Sequence, residues 1–432
     1  MARSKRARTK RSSAIPRKNL LAALGPGLIT GASDDDPSGI ATYSQVGARY
    51  GFGMLWTMLF SYPLMVAIQE ICARVGRVTG HGIAGNMRRQ YPSPLLYSVV
   101  GLMVVANLVN LGADIGGMGA AMSLLVGGHA GIYAAALAVV SLLLQVLLPY
   151  SKYVKVLKWL TIALFAYVGT VFAVHIPWSD ALRSTVLPAI HFRKDYLTGL
   201  IAVLGTTISP YLFFWQASEE AEEEKVTPGE KPLKRAPEQG PKQLRRIRLD
   251  TYLGMAFSNL IAFFIILTTG ATLHVHGMTN IATAEQAAQA LRPVAGKFAS
   301  LLFSAGIVGT GLLSIPVLAG SAAYAISEAM GWPTGLERKP HRAKAFYGVL
   351  AVATGLGLGM TFVHFDPIKA LFWSAVINGV LAGPLMVVIM VMTSNPKIMG
   401  RFTLPRGLWI MGWLATIAML VAAAGMIFAQ NS

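Results

Sequence analysis

Apolar stretches of about twenty residues recur along the chain, separated by polar connections. Eleven are discernible, near 22–49, 52–73, 95–126, 130–149, 156–176, 197–218, 251–273, 298–328, 345–363, 369–392 and 407–428. A helix of that length crosses the roughly 30 Å hydrocarbon layer of a bilayer. The pattern therefore predicts an all-α membrane protein with about eleven transmembrane helices. One connection is long, 219–250, and its wealth of Glu, Lys and Pro predicts a flexible loop.

Two of the stretches are poor continuous helices. The first carries Gly31-Ala32-Ser33-Asp34-Asp35-Asp36-Pro37-Ser38-Gly39 at its middle, and the sixth carries Gly205-Thr206-Thr207-Ile208-Ser209-Pro210-Tyr211. Proline removes a backbone donor and clashes with the preceding turn, so each helix should open there. Lipid cannot satisfy the freed carbonyls, so such breaks persist only where they line a cavity inside protein. Spans one and six hold corresponding positions in two five-span halves. Matched interruptions of this kind point to a secondary transporter built from inverted repeats, with its site near the bilayer midplane.

Composition narrows the class. Of 432 residues, 54% are hydrophobic and 13% charged, about half the charge of a soluble domain. An ordinary cytosolic enzyme is excluded, and no nucleophile–base pair or nucleotide-binding loop appears among the spans. The single cysteine, Cys72, excludes a disulfide scaffold. The net charge of +18 has a telling distribution: 30 of the 37 Lys and Arg fall in the segments 3–18, 74–89, 152–158, 225–248, 338–344 and 397–406. These are alternate connections, so the positive-inside rule places them and the amino terminus in the cytoplasm of an inner-membrane protein, with the carboxyl terminus outside. Basic inner loops account for the charge without nucleic acid. Residues 1–20 read as a retained basic arm, because the apolar stretch behind them lacks a cleavage site and ends in three aspartates. The expected organisation is that arm, a transporter core over 21–393 (repeats about 21–176 and 197–393, with the loop 219–250), and an eleventh helix within 394–432.

Carboxylates at mid-span cost several kcal/mol unless paired, protonated or solvated. Asp34, Asp35 and Asp36 therefore mark a cation site, with Asp36 beside Pro37 at the opened turn. Carbonyls at the C-terminal end of the first half-helix would assist, since the negative end of the dipole points there. Asp34 is read as facing a water-filled vestibule.

The segment GPGLITGASDDDPSGIATYSQVGARYG resembles the first span of the Nramp family of divalent metal transporters, whose signature is Asp-Pro-Gly-Asn followed by Ala-Thr and Gln. ICARVGRVTGHGIAGNMRRQYP and LGTTISPYLFFWQAS continue the likeness from about Leu20 to Thr393. The resemblance implies a LeuT-type fold of two inverted five-helix repeats with helices 1 and 6 broken. It also implies a site. The family's metal-binding Asp falls on Asp36 and its Asn on Gly39, while the span-six Met falls on Ser209 and the following His on Tyr211. Carbonyl ligands would fall on Ser33 and Thr206, and a span-three carboxylate falls on Asp114, with its companion replaced by Leu111. Those departures put proton coupling in doubt.

A thioether favours softer metals, whereas carboxylate, hydroxyl, carbonyl and water suit Mg²⁺, Ca²⁺ and Mn²⁺. Mg²⁺ is held through one or two carboxylates with several waters retained. Asp36, Asp35, Ser209 and the Thr206 carbonyl thus fit a hydrated hard cation better than Fe²⁺, and no cofactor beyond that cargo is implied. The expected partners are the ion and membrane lipid, with the protein a monomer. Two alternatives stay open: a transporter that has lost metal and carries another small solute such as an organic cation, and a transport-inactive receptor. Asn378 in span ten and Tyr211 are placed on the pathway, while Gln216 is read as packing. Glu219 to Glu224 are expected to form a solvated acidic run. His274, His276 and His364 read as surface residues and Cys72 as inert packing.

Overall fold

The computed structural model describes residues 26–148, 160–363 and 366–429. The basic arm 1–20, the segment 152–158 and His364 lie outside the described residues. Within them every regular element is helical. The main helices are α1 (Pro26–Asp34), α2 (Pro37–Tyr50), α3 (Trp56–Thr79), α4 (Ile83–Gln90), α5 (Ser93–Val126), α6 (Ala130–Leu147), α7 (Phe165–Ala173), α8 (Trp178–Val186), α9 (Lys194–Thr207), α10 (Pro210–Val226), α11 (Gly240–Thr269), α12 (Ala299–Met330), α13 (Lys344–Met360), α14 (Pro367–Thr393) and α15 (Arg406–Phe428).

Eight stretches are long and apolar enough to cross a membrane, with α9 and α10 counted as one. The other three expected spans coincide with the broken pair α1–α2 and with the shorter apolar helices Ile162–Ala173 and Lys344–Met360.

Both expected breaks are present, and the sequence explains their form. Asp36 has extended backbone and caps α2 through its side chain, with Pro37 at the first helical position. There the absent N–H costs nothing, and Asp is a preferred N-cap. Ser209 and Pro210 repeat the arrangement at the start of α10, but without a side-chain cap. The residue before each proline is driven out of the helical region by the ring, which ends the preceding half-helix.

Small residues let the broken helices sit deep between the others. A Cβ on Gly31 would lie 2.2 Å from the Gly254 carbonyl oxygen, one on Gly205 2.1 Å from that of Ala375, and one on Gly76 1.9 Å from that of Ala217. These contacts hold α1 on α11, α9 on α14 and α3 on α10, the close approach typical of helices packed in membranes.

The expected loop 219–250 is largely helical, since α10 runs to Val226 and α11 begins at Gly240. The remaining connection is strapped down: the Leu233 and Lys234 N–H groups donate to the Arg77 and Val78 carbonyls, and Arg77 pairs with Glu230. The acidic run is not solvated either. Glu220, Glu222 and Glu224 are buried because distant partners enclose them. Arg246 reaches Glu220 at 2.5 Å and Glu223 at 3.1 Å. Glu222 accepts from the Leu336 and Glu337 N–H groups at 3.2 and 2.7 Å and from the Tyr324 hydroxyl. Nearby, Glu328 accepts from the Gly82 and Gly85 N–H groups at 3.0 and 2.9 Å. Beside that turn, partial burial and the charges of Arg89, Lys225 and Arg235 lower the His81 pKa to about 4. Together these bonds close one end of the molecule.

Candidate metal site

The two breaks meet at Asp36. Its Oδ1 accepts from the Gly39 N–H at 2.7 Å, and its Oδ2 faces the Asn110 amide nitrogen at 2.9 Å and the Tyr211 hydroxyl at 3.3 Å. The same Tyr211 hydroxyl lies 3.3 Å from the Ser33 carbonyl oxygen at the end of α1. A phenol has one proton to donate, so Tyr211 is shared between the carboxylate and a helix-end carbonyl. Asp36, Ser33 and Tyr211 thus lie together at the junction.

Helix α5 supplies the floor. Asn110 accepts from Ser374 on α14 at 2.9 Å. One turn on, Asp114 accepts from the Ser38 N–H at 3.3 Å and the Ser314 hydroxyl at 2.9 Å. Asp114 therefore stands under the first turn of α2 rather than against Asp36 itself. The sequence reading missed Asn110, Ser314 and Ser374. The spacing of Asn107, Asn110 and Asp114 puts all three on one face of a helix, and that polar stripe in an apolar span was the available signal.

Other expected residues are placed differently. The Ser209 hydroxyl donates back to the Thr206 and Gly205 carbonyls, at 2.8 and 3.0 Å, so it caps its own half-helix and occupies the carbonyl expected as a ligand. Gly39 leaves no spare room: a Cβ there would lie 2.9 Å from Thr206 Oγ1. Asp34 and Asp35 turn away from Asp36 toward Ser258 on α11, at 2.6 and 3.2 Å. Asp34 is fully buried and faces no vestibule. Asn378 is buried on α14 with its amide oxygen unpartnered. Gln216 does more than pack, since it bonds Thr30 on α1.

No Lys or Arg comes within ion-pair distance of Asp34, Asp35, Asp36 or Asp114 among the described residues. In the same residues no three His, Cys, Asp or Glu side chains converge as a closed metal cage. The centre is a buried cluster of carboxyl, amide and hydroxyl groups with Asp36 at the junction. Away from the glutamate-sealed end, a cavity of about 540 Å³ is lined by Ala41, Gln45, Tyr50, Asp195, Ile368 and Trp373. Asp36 itself is 1% exposed, so the cluster is shut off from that cavity.

The family model for natural resistance-associated macrophage protein-like (Nramp) chains matches residues 27–429. The chain belongs to the Nramp family. Like other Nramp members it is a multi-pass membrane transporter and not an enzyme, and the family carries divalent metals as cargo with no enzymatic cofactor. It is 25% identical over 425 residues to the divalent metal cation transporter MntH of Klebsiella pneumoniae, covering 96% of this chain and 95% of that one. It is also 25% identical to the MntH of Deinococcus radiodurans, with 95% and 91% covered. Among solved structures, the Eremococcus coleocola manganese transporter superposes with a TM-score of 0.72 at 16% identity, over 96% of this chain and 89% of that one. MhsT in complex with L-phenylalanine gives 0.62 at 12% identity, over 93% and 98%. These likenesses establish the LeuT-type fold of this Nramp chain.

Proposed function

We propose that this Nramp chain carries hard divalent cations, Mg²⁺ or Mn²⁺ ahead of Fe²⁺, across the inner membrane by alternating access. Asp36 is the principal protein ligand, and the basic, glutamate-sealed end lies in the cytoplasm with the amino terminus. The observation that carries this reading is Asp36 itself: a buried carboxylate at the meeting of two helix breaks, held by neutral donors and with no basic partner among the described residues. A carboxylate at membrane depth has to be paired, protonated or solvated, and a bound cation would pair this one. The Asp36 carboxylate, the Tyr211 hydroxyl and the Ser33 carbonyl alongside are oxygen donors, the type that suits Mg²⁺ and Mn²⁺. The lack of room for even a methyl group between Gly39 and Thr206 favours a small ion over an organic cation.

Proton movement has little support. Tyr211 stands where a histidine would relay a proton, and Asp114 is engaged by Ser38 and Ser314. Proteoliposomes containing a pH-sensitive dye should therefore take up Mn²⁺ and Mg²⁺ without acidification of the lumen. Absence of uptake of either ion would refute the assignment, and acidification in step with uptake would refute the uncoupled mechanism.

Ser209→Met should shift selectivity. The substitution removes the hydroxyl that caps the Thr206 carbonyl and introduces a thioether at the junction. Uptake of Cd²⁺ relative to Mg²⁺ in competition assays should rise, because a thioether ligand selects softer metals. An unchanged ratio would show that position 209 does not face the ion.

A further inference from the structure

Seven Lys and Arg fall outside the basic segments of the chain, and four of them meet in one place. Arg49, Arg193, Lys194 and Lys369 line the cavity of about 540 Å³ that lies away from the glutamate-sealed end. Its volume is that of a small-ligand site. Asp195 is the one acid in that lining, and two arginines share it, Arg49 at 3.3 Å and Arg193 at 3.5 Å. Lys369 faces Asp366, at the start of its own helix, at 3.5 Å. No carboxylate stands within ion-pair distance of Lys194 among the described residues. Four cations thus face two carboxylates, and the cavity carries a positive excess.

The backbone adds to it. The first turns of α9 and α14 both border the cavity, through Lys194 and Lys369, and the positive end of a helix dipole lies there. The side chains of Arg49, Arg193 and Lys369 are 46%, 63% and 64% exposed, so they are open to a ligand. Ion pairs this exposed hold weakly, and an incoming anion can compete with Asp195. A free dication is repelled by such a cavity. Carboxylate and phosphate oxygens match the guanidinium fork.

We propose that this cavity binds a small, soluble, multivalent oxyanion of the polycarboxylate or phosphate class. Seated there, the anion would offset the positive charge that a divalent cargo meets at this end of the molecule. That consequence rests on the cation assignment at Asp36, whereas the anion site stands without it.

Isothermal titration of the purified full-length protein with citrate, in buffer free of metal and phosphate, tests the site. Wild type should bind one citrate per chain, more weakly as salt is raised. Arg193→Gln with Lys194→Gln should weaken binding by roughly tenfold or more, the scale of losing hydrogen bonds between charged groups. Arg183→Gln with Lys297→Gln changes exposed basic residues outside the cavity and should bind citrate as wild type does. No citrate binding in wild type, or equal loss in the two double variants, would overturn the site. Displacement of citrate by an equal concentration of phosphatidylglycerol in mixed micelles would overturn the soluble ligand in favour of a lipid headgroup. Asp36→Asn should keep citrate binding while losing Mn²⁺ binding, so failure of either assignment is read apart from the other. All four substituted basic side chains are exposed, and gel-filtration profiles matching wild type confirm that each variant is folded.

Discussion

Asp36→Asn is expected to reduce Mn²⁺ and Mg²⁺ affinity and uptake by roughly 100-fold or more, since the charge count of the ligands sets affinity for hard cations. That loss corresponds to about 2.8 kcal/mol of binding free energy. Asparagine is the informative replacement because it conserves volume and remains a preferred N-cap. Its side-chain oxygen can still accept from the Gly39 N–H, the bond that starts α2. The helix break should therefore survive, while the charge and the bond that Oδ2 accepts from the Asn110 amide are lost, since an asparagine NH2 cannot accept it. Thermal stability close to wild type, together with absent uptake, is the expected pair of results. Uptake at wild-type rates would remove Asp36 from the transport path.

The second large effect concerns the packing that places the break. Gly205→Val should destabilise the protein by about 3 kcal/mol, at the upper end of the usual penalty for overfilling a packed contact. Its Cβ would stand 2.1 Å from the Ala375 carbonyl oxygen and 2.3 Å from the Gly379 nitrogen. Both are backbone atoms, so neither can rotate aside, and α9 would have to separate from α14. Fluorescence-detected thermal unfolding in detergent should show a markedly lower midpoint or an aggregated protein. Gly101→Ala is the control, since nothing lies within 4 Å of a Cβ there. Equal midpoints for Gly205→Val and wild type would mean that α9 and α14 do not touch at this point.

Much of the architecture was legible because proline and glycine act locally. Asp36-Pro37 and Ser209-Pro210 each announce a half-helix start from the residues themselves, and the apolar stretches announce the spans. Side-chain direction was not legible in the same way. Asp35 and Asp36 lie in the non-helical break between α1 and α2, so they can serve different neighbours, and which they serve depends on where α5 and α11 pack. Ser258 and Ser374 are 223 and 264 residues from Asp35 and Asn110; nothing in the local pattern marks either serine as a partner. The acidic run was misread for the same reason. Glu220 and Glu222 look solvated beside one another in the chain, but Arg246, Tyr324 and the backbone at 336–337 fold over them. Ser209 shows a third kind of miss, because its hydroxyl has a bond available within its own turn. A short polar side chain at a helix end commonly takes that bond before any external one.

The central claim is that the two helix breaks create a cation-binding pocket at Asp36. A crystal structure of the protein soaked in Mn²⁺, read by anomalous scattering, tests it most directly. An anomalous peak within direct ligand distance of an Asp36 carboxylate oxygen, between the end of α1 and the start of α10, is the expected result. A fully occupied peak elsewhere, with none at Asp36, would contradict it.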